Sequence, residues 1–231
     1  MCALMANAAL PYEPIAAFQL GPTGAGRAKL IRHTDGYFYG VSAGGGANGA
    51  GTIFKLSPSG DLSTWVNFDG LNGGTQSELV SDGQGAFWGT TFAGGNYQRG
   101  SIYKVDIATG KVTTVIDFPT ADSPIRGRYV RAGLVYDHAG FFLGTTQQGG
   151  AMDVGTLFKV EASTGLLTTV AEFSYGSGPL RGVNPAATLV SDANGVLWGA
   201  AAQGGEEGRG TIFKVDPATG TVATVAHFSG T

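Results

Sequence analysis

The chain is predicted to be all-β: a small β-propeller of about four four-stranded blades plus an extra N-terminal strand. Three observations predict it. One unit of roughly 50 residues recurs four times, a period typical of stacked supersecondary units. Its apolar runs are short and alternate with a period of two, and no segment has the 3.6-residue period of a helix. Glycine is abundant, 40 of 231 residues, but it has no three-residue period and lies between β-rich runs, where it marks tight turns.

The repeat is clearest at Gly51-Thr52-Ile53-Phe54-Lys55-Leu56. It returns as Gly100-Ser101-Ile102-Tyr103-Lys104-Val105, as Gly155-Thr156-Leu157-Phe158-Lys159-Val160 and as Gly210-Thr211-Ile212-Phe213-Lys214-Val215. The lysines are 49, 55 and 55 residues apart. Upstream of each lies an aromatic run ending in glycine: Tyr37 to Gly40, Ala86 to Gly89, Phe141 to Gly144 and Val196 to Gly199. A glycine pair follows each run, and each unit closes on a phenylalanine, Phe68, Phe118, Phe173 or Phe228. The units run over about residues 19–68, 69–118, 119–173 and 174–228. Together they form one domain over 12–231, behind a tail at 1–11.

Each unit reads as four strands. The first centres on Leu30, Leu79, Leu134 or Leu189, the second is the aromatic run, the third the Gly-Thr-Ile-Phe-Lys run, and the fourth a Thr/Val run such as Val112 to Val115. Asp35, Asp82, Asp137 and Asp192 open the turns between strands one and two, where a carboxylate accepts turn amides and a later glycine takes positive φ. One such sheet cannot bury both faces, but stacking around an axis does so and leaves only short edges. Part of a larger or dimeric propeller is the alternative, and a β-solenoid is the weaker one. Ile15-Ala16-Ala17-Phe18 resembles the end of a repeat, and Phe18 lies 50 residues before Phe68. It either closes the ring or is the last strand of an upstream blade.

Composition excludes several function classes. The net charge is −3 and no basic stretch tracks a phosphate backbone, so nucleic acid is not an expected partner. No apolar run reaches the roughly 18 residues of a membrane span. The single cysteine, Cys2, makes no intramolecular disulfide. The opening residues, with Ala6-Asn7-Ala8, look like the end of a secretory signal.

The leucine strand, the Trp/Tyr-Gly-Thr-Thr run, the glycine-pair loop and the Gly-Thr-Ile-Phe-Lys-Val run together resemble the bacterial GloVer-type (Gloeo/Verruco) tandem repeat. Residues 183–228 carry the pattern best, and Tyr37 to Ser42 depart from it most. The resemblance implies an extracytoplasmic repeat protein, secreted, periplasmic or at the cell surface. It implies no activity.

Candidate chemistry divides into two classes. The first is a module binding a small molecule, carbohydrate or partner at its loop face, where the copies differ most: Asn48, Asn96, Tyr97, Arg99 and Arg209 are the expected ligand-binding residues. Arg126, Arg128, Arg131 and Arg181 in the blade linkers add a basic cluster for an anionic ligand. The second is a Ca²⁺-dependent hydrolase of lactones or esters, acyl-homoserine lactones among them, with its site at the channel mouth. Asp153, Glu206 and Glu207 are its expected oxygen ligands. This second class rests on architecture shared with propeller lactonases, and no motif of theirs is present. Gly40-Val41-Ser42-Ala43-Gly44 matches a nucleophile elbow, but no helix follows, and the other copies carry Thr91, Thr146 and Ala201 where Ser42 stands. His33, His138 and His227 have no reason in the repeat frame to meet Ser42. A homodimer through open blade edges is a further expectation.

Overall fold

The structure, a computed structural model, describes residues 29–69, 77–119, 127–176 and 180–230. The tail, Cys2, the Ile15–Phe18 segment and Arg126 lie outside the described residues. Blade one is β1 (Ile31–Arg32), β2 (Phe38–Ser42), β3 (Thr52–Leu56) and β4 (Leu62–Asn67). Blade two is β5 (Val80–Ser81), β6 (Ala86–Thr91), β7 (Ser101–Asp106) and β8 (Val112–Asp117). A short strand β9 (Gly127–Arg128) leads into blade three, which is β10 (Val135–Tyr136), β11 (Phe141–Thr146), β13 (Thr156–Glu161) and β14 (Leu167–Glu172). Between β11 and β13, β12 (Gln148–Gly149) pairs with β9. Blade four opens with β15 (Val183–Pro185) and continues through β16 (Val190–Ser191), β17 (Leu197–Gln203), β18 (Thr211–Asp216) and β19 (Thr221–His227).

All four blades are antiparallel meanders with the strands in chain order. This is a β-propeller rather than a solenoid of coils. The third and fourth strands slip register once in every blade, at Ile53/Phe54, Ile102/Tyr103, Leu157/Phe158 and Ile212/Phe213. A bulge at this point strengthens the local twist, which lets successive blades stack.

The aromatic-glycine run has a steric cause. A Cβ on Gly40, Gly144 or Gly199 would collide with the ring of Phe54, Phe158 or Phe213 and with the leucine of the first strand. The third-strand ring therefore lies across the glycine and reaches Leu30, Leu134 or Leu189. The core sits between blades rather than within them. One cluster joins Tyr39 and Phe68 of blade one to Phe87 and Tyr103 of blade two. A second joins Trp88 and Phe118 to Phe142 and Phe158, and a third joins Leu143 and Phe173 to Leu197 and Phe213.

The hairpins joining second to third strands share one face with the described linker residues Gly127 to Tyr129 and Val183 to Asn184. The aspartate turns lie on the opposite face. Residues at the first strands of all four blades line a cavity of about 450 Å³, with Lys29, Arg32, Glu78 and His138 among its polar groups.

Candidate functional site

Each glycine-pair hairpin is built alike, so departures from the common plan stand out. The amide of Gly51, Gly100, Gly155 or Gly210 donates to the carbonyl of Gly45, Gly94, Gly149 or Gly204 respectively, and the same residue's carbonyl accepts from the closing phenylalanine's amide. A fourth-strand side chain anchors the loop: Asn67 accepts from the Ala47 amide at 2.8 Å, Asp117 from Asn96, and Glu172 from Ala151 at 2.7 Å. In blade four His227 takes this place and lies 3.8 Å from Glu206.

Several expected site residues serve this plan. Asn48 donates its side-chain amide to the Phe68 carbonyl at 3.0 Å, and Asn96 donates to Asp117 at 2.6 Å. Asp153 accepts the Gly149 amide and pairs with Arg128 at 2.6 Å. Glu207 accepts the Gly230 amide and lies 4.0 Å from Arg209. Asp153 thus sits on the blade-three loop, and Glu206 and Glu207 on the blade-four loop, each with a protein partner. Among the described residues no group of three or more His, Cys, Asp or Glu side chains is placed to hold a metal ion.

Among the described residues, the hydrogen bonds of Ser42 are those of a strand position rather than of a nucleophile beside a histidine. The residue is fully buried, its hydroxyl accepts the Thr52 amide at 3.0 Å, and it shares a 2.8 Å hydrogen bond with the Thr52 hydroxyl. Thr91 with Ser101 and Thr146 with Thr156 repeat the arrangement in blades two and three. The four aspartates opening the first turns are likewise structural. Asp82 accepts from Gln84 and Ala86 and from the Trp88 indole, Asp137 from Ala139 and Phe141, and Asp192 from Asn194, Val196 and the Trp198 indole. Asp35 accepts from the Tyr37 amide and the Tyr39 hydroxyl. They stand apart from one another on four separate turns.

The junction of blades two and three departs from the plan. There Phe92 and Tyr129 pack ring on ring, 5.1 Å between centroids and 30° between planes. Arg131 lies over Phe92 at 4.8 Å, and Arg128 lies over the edge of Tyr129 at 5.9 Å while also bonding Gln148 and Asp153. The corresponding positions elsewhere are plain. Phe92 aligns with Ala43, Gln147 and Ala202, Arg128 with Val183, Tyr129 with Asn184, and Arg131 with Ala186. Arg99 and the half-exposed Tyr97 belong to the same blade-two hairpin.

Tyr129 is held in the left-handed region at φ 62°, a conformation unusual for a bulky side chain. Asn184 holds the equivalent place at φ 56°, and asparagine tolerates it. Both amides donate to the preceding hairpin, Tyr129 to the Arg99 carbonyl at 2.7 Å and Asn184 to the Val154 carbonyl at 3.1 Å. The backbone role therefore needs no aromatic ring. The ring adds local strain of about 1–3 kcal/mol and supplies a second flat face beside Phe92. Phe92 and Tyr129 were not among the residues the sequence singled out. Superposing the four copies position by position carries the signal for both.

A Gloeobacter/Verrucomicrobia repeat matches residues 26–231. No curated protein matches the chain. Among solved structures it is similar to a chain of a nidogen/laminin complex, with 15% identity, a TM-score of 0.60, and cover of 88% of this chain and 65% of that one. It is also similar to the extracellular domain of the one-component system BT4673 from B. thetaiotaomicron, at 14% identity and TM-score 0.56, covering 88% of this chain and 22% of that one. A third is a gluconolactonase from Xanthomonas campestris, at 14% identity and TM-score 0.52, covering 84% and 60%. The chain spans less than two thirds of each of these chains. At such identities the likeness is one of fold. No helix among the described residues is long and apolar enough to cross a membrane.

Proposed function

The chain belongs to the Gloeobacter/Verrucomicrobia repeat family, and from that premise we propose that it is an extracytoplasmic propeller that binds an acidic saccharide on its loop face. The observation that carries this reading is the paired Phe92 and Tyr129 rings, flanked by Arg131 and Arg128. Flat aromatic faces take the C–H face of a sugar ring. Guanidinium groups form paired hydrogen bonds with a carboxylate. Arg99, Arg128 and Arg131 outnumber Asp153 locally, although the whole chain carries a charge of −3. Tyr97 and Asn96 on the same hairpin are the next residues a saccharide would meet, and Asn48 and Arg209 stand at the matching hairpins of other blades.

Calorimetry with oligogalacturonate, against its methyl-esterified neutral counterpart, tests the reading. The acidic oligomer is expected to bind, more weakly as salt rises, and the neutral one to bind less. Arg131→Ala and Phe92→Ala are each expected to weaken binding about tenfold, a change of about 1.4 kcal/mol. Equal affinity in the variants, or no binding of either oligomer, overturns it. Recovery of the protein from the cytoplasm alone would overturn the extracytoplasmic placement.

The gluconolactonase likeness keeps a second reading in view, Ca²⁺-dependent hydrolysis of lactones or esters. Asp153, Glu206 and Glu207 would have to leave their present partners to hold the ion. Turnover of a lactone panel that needs Ca²⁺ and stops with EDTA would favour it. We also propose that the protein pairs with a second copy of itself, away from the saccharide patch.

A further inference from the structure

The first strands of the four blades agree where they pack and differ where they meet the cavity. Each carries a leucine followed by a β-branched residue, as in Leu30-Ile31 and Leu79-Val80. The position before the leucine holds Lys29, Glu78, Gly133 and Thr188 in the four blades. The position after the β-branched residue holds Arg32, Ser81, Tyr136 and Ser191. All of these except Gly133 line the cavity of about 450 Å³. Sheet packing accounts for the constant pair and leaves the variable positions to another cause.

Gly133 is a glycine for reasons of space. Its backbone is not in the left-handed region, so its conformation does not require one. A Cβ there would lie 2.8 Å from Cγ and 3.2 Å from Oε1 of Glu78, and 3.1 Å from the Thr188 hydroxyl, which accepts the Gly133 amide at 2.9 Å. Glu78 of blade two therefore lies across the inner edge of blade three, where the missing side chain leaves it room. Among the described residues Glu78, Lys29 and Arg32 make no side-chain hydrogen bond or ion pair. A half-buried carboxylate and two cations thus share one cavity with their hydrogen-bonding capacity unused. On the blade-three wall His138 holds φ 60° where blade two has Gly83 at φ 70°. Its ring packs edge-on against Tyr136 at 5.3 Å between centroids.

We propose that this cavity binds a small zwitterion, a free apolar α-amino acid, with its carboxylate on Arg32 and Lys29 and its ammonium on Glu78. A simple anion would meet the Glu78 carboxylate, and a simple cation would meet Lys29 and Arg32. A molecule carrying both charges satisfies all three groups. Leu30, Val80 and Val135 on the walls offer apolar surface to its side chain. The volume lies within the range of small-molecule sites, which pair apolar walls with a few placed polar groups. Phe92, Tyr129 and Arg131 do not line this cavity, so the site is separate from the saccharide patch and stands without it.

Calorimetry at neutral pH with L-leucine, L-valine and L-phenylalanine tests the proposal. At least one is expected to bind. Its deaminated and decarboxylated counterparts, 4-methylpentanoate and 3-methylbutylamine in the case of leucine, each keep one charge and are expected to bind at least about tenfold more weakly. Arg32→Gln and Glu78→Gln are each expected to weaken the amino acid about tenfold. Glu78→Gln is also expected to narrow the gap between the amino acid and its deaminated acid, which no longer meets a carboxylate. A purely structural role for Glu78 would not move that ratio. Far-ultraviolet dichroism checks that both variants are folded, and Arg32 is exposed, so its replacement disturbs no core. No binding of any of the three amino acids overturns the proposal. Binding of the acid or the amine as tight as that of the amino acid overturns the zwitterion. Affinity unchanged in either variant overturns this placement of the ligand.

Discussion

At the scale of single residues, the hydroxyl pair beside the glycine hairpin shows how a repeat explains its own motifs. Ser42, Thr91 and Thr146 each satisfy a third-strand amide and hydroxyl in a fully buried place. Blade four has Ala201 at this position, and the Thr211 hydroxyl it faces is buried with no hydrogen-bond partner among the described residues. A buried hydroxyl without a partner loses its hydration and gains nothing in return, which costs about 1–3 kcal/mol. Blade three already accommodates a threonine here, Thr146 lying beside Gly127 as Ala201 lies beside Gly182. Ala201→Thr is therefore expected to stabilise the protein by about 1 kcal/mol, raising Tm by roughly 2–4 °C for a chain of this size. A thermal melt checks it, and an unchanged or lowered Tm contradicts the account of the hydroxyl pair.

At the scale of elements, the turns hold the strands with carboxylates. Asp192 is held below the usual carboxylate range by the Trp198 indole first and then by the Asn194 and Val196 amides, against an opposing effect of desolvation. Asp106 is lowered chiefly by the Thr109 hydroxyl and amide, and Asp216 by the Thr219 hydroxyl and the Ala218 amide. A folded pKa below the unfolded value of about 3.9 means that this contribution is complete above that value. It is lost as pH falls through the folded pKa. Melts from neutral pH down into the acid range should show Tm holding and then dropping below about pH 4. Asp192→Asn and Asp106→Asn should each flatten that drop. A drop as steep in both variants as in the parent would place acid sensitivity outside these turns. These turns were readable from spacing alone, since Asp followed by a late glycine is local chemistry. The patch at the junction of blades two and three was readable only in part. Arg99, Arg128 and Arg131 drew notice as charges. Phe92 directly follows the β-forming pair Thr90-Thr91 and passes for strand, and the left-handed Tyr129 depends on a carbonyl supplied by the preceding blade.

At the scale of the whole molecule, the repeat frame was visible because each blade repeats its own local chemistry, while ring closure depends on surfaces far apart in sequence. Leu30 to Leu189 mark the first strands, and the four closing phenylalanines mark the last. Nothing local distinguishes Phe228 from Phe173, yet one is buried against Phe213 and the other is 47% exposed. In an array whose units touch only their neighbours, stability is close to a sum of unit and junction contributions. Among the described residues, blades two and three each have a junction on both sides, whereas blade four has one on its front alone. Local opening should then be graded along the array rather than uniform. Hydrogen exchange on the dilute chain reads this out. Amides of β19 and β16 are expected to exchange first, and those of β6, β7, β11 and β13 last. Their protection should differ by orders of magnitude, because opening blade four breaks one junction while opening blade two or three breaks two. Uniform protection across all four blades would mean that the array unfolds as one cooperative body, in which the number of junctions a blade makes carries no energetic weight.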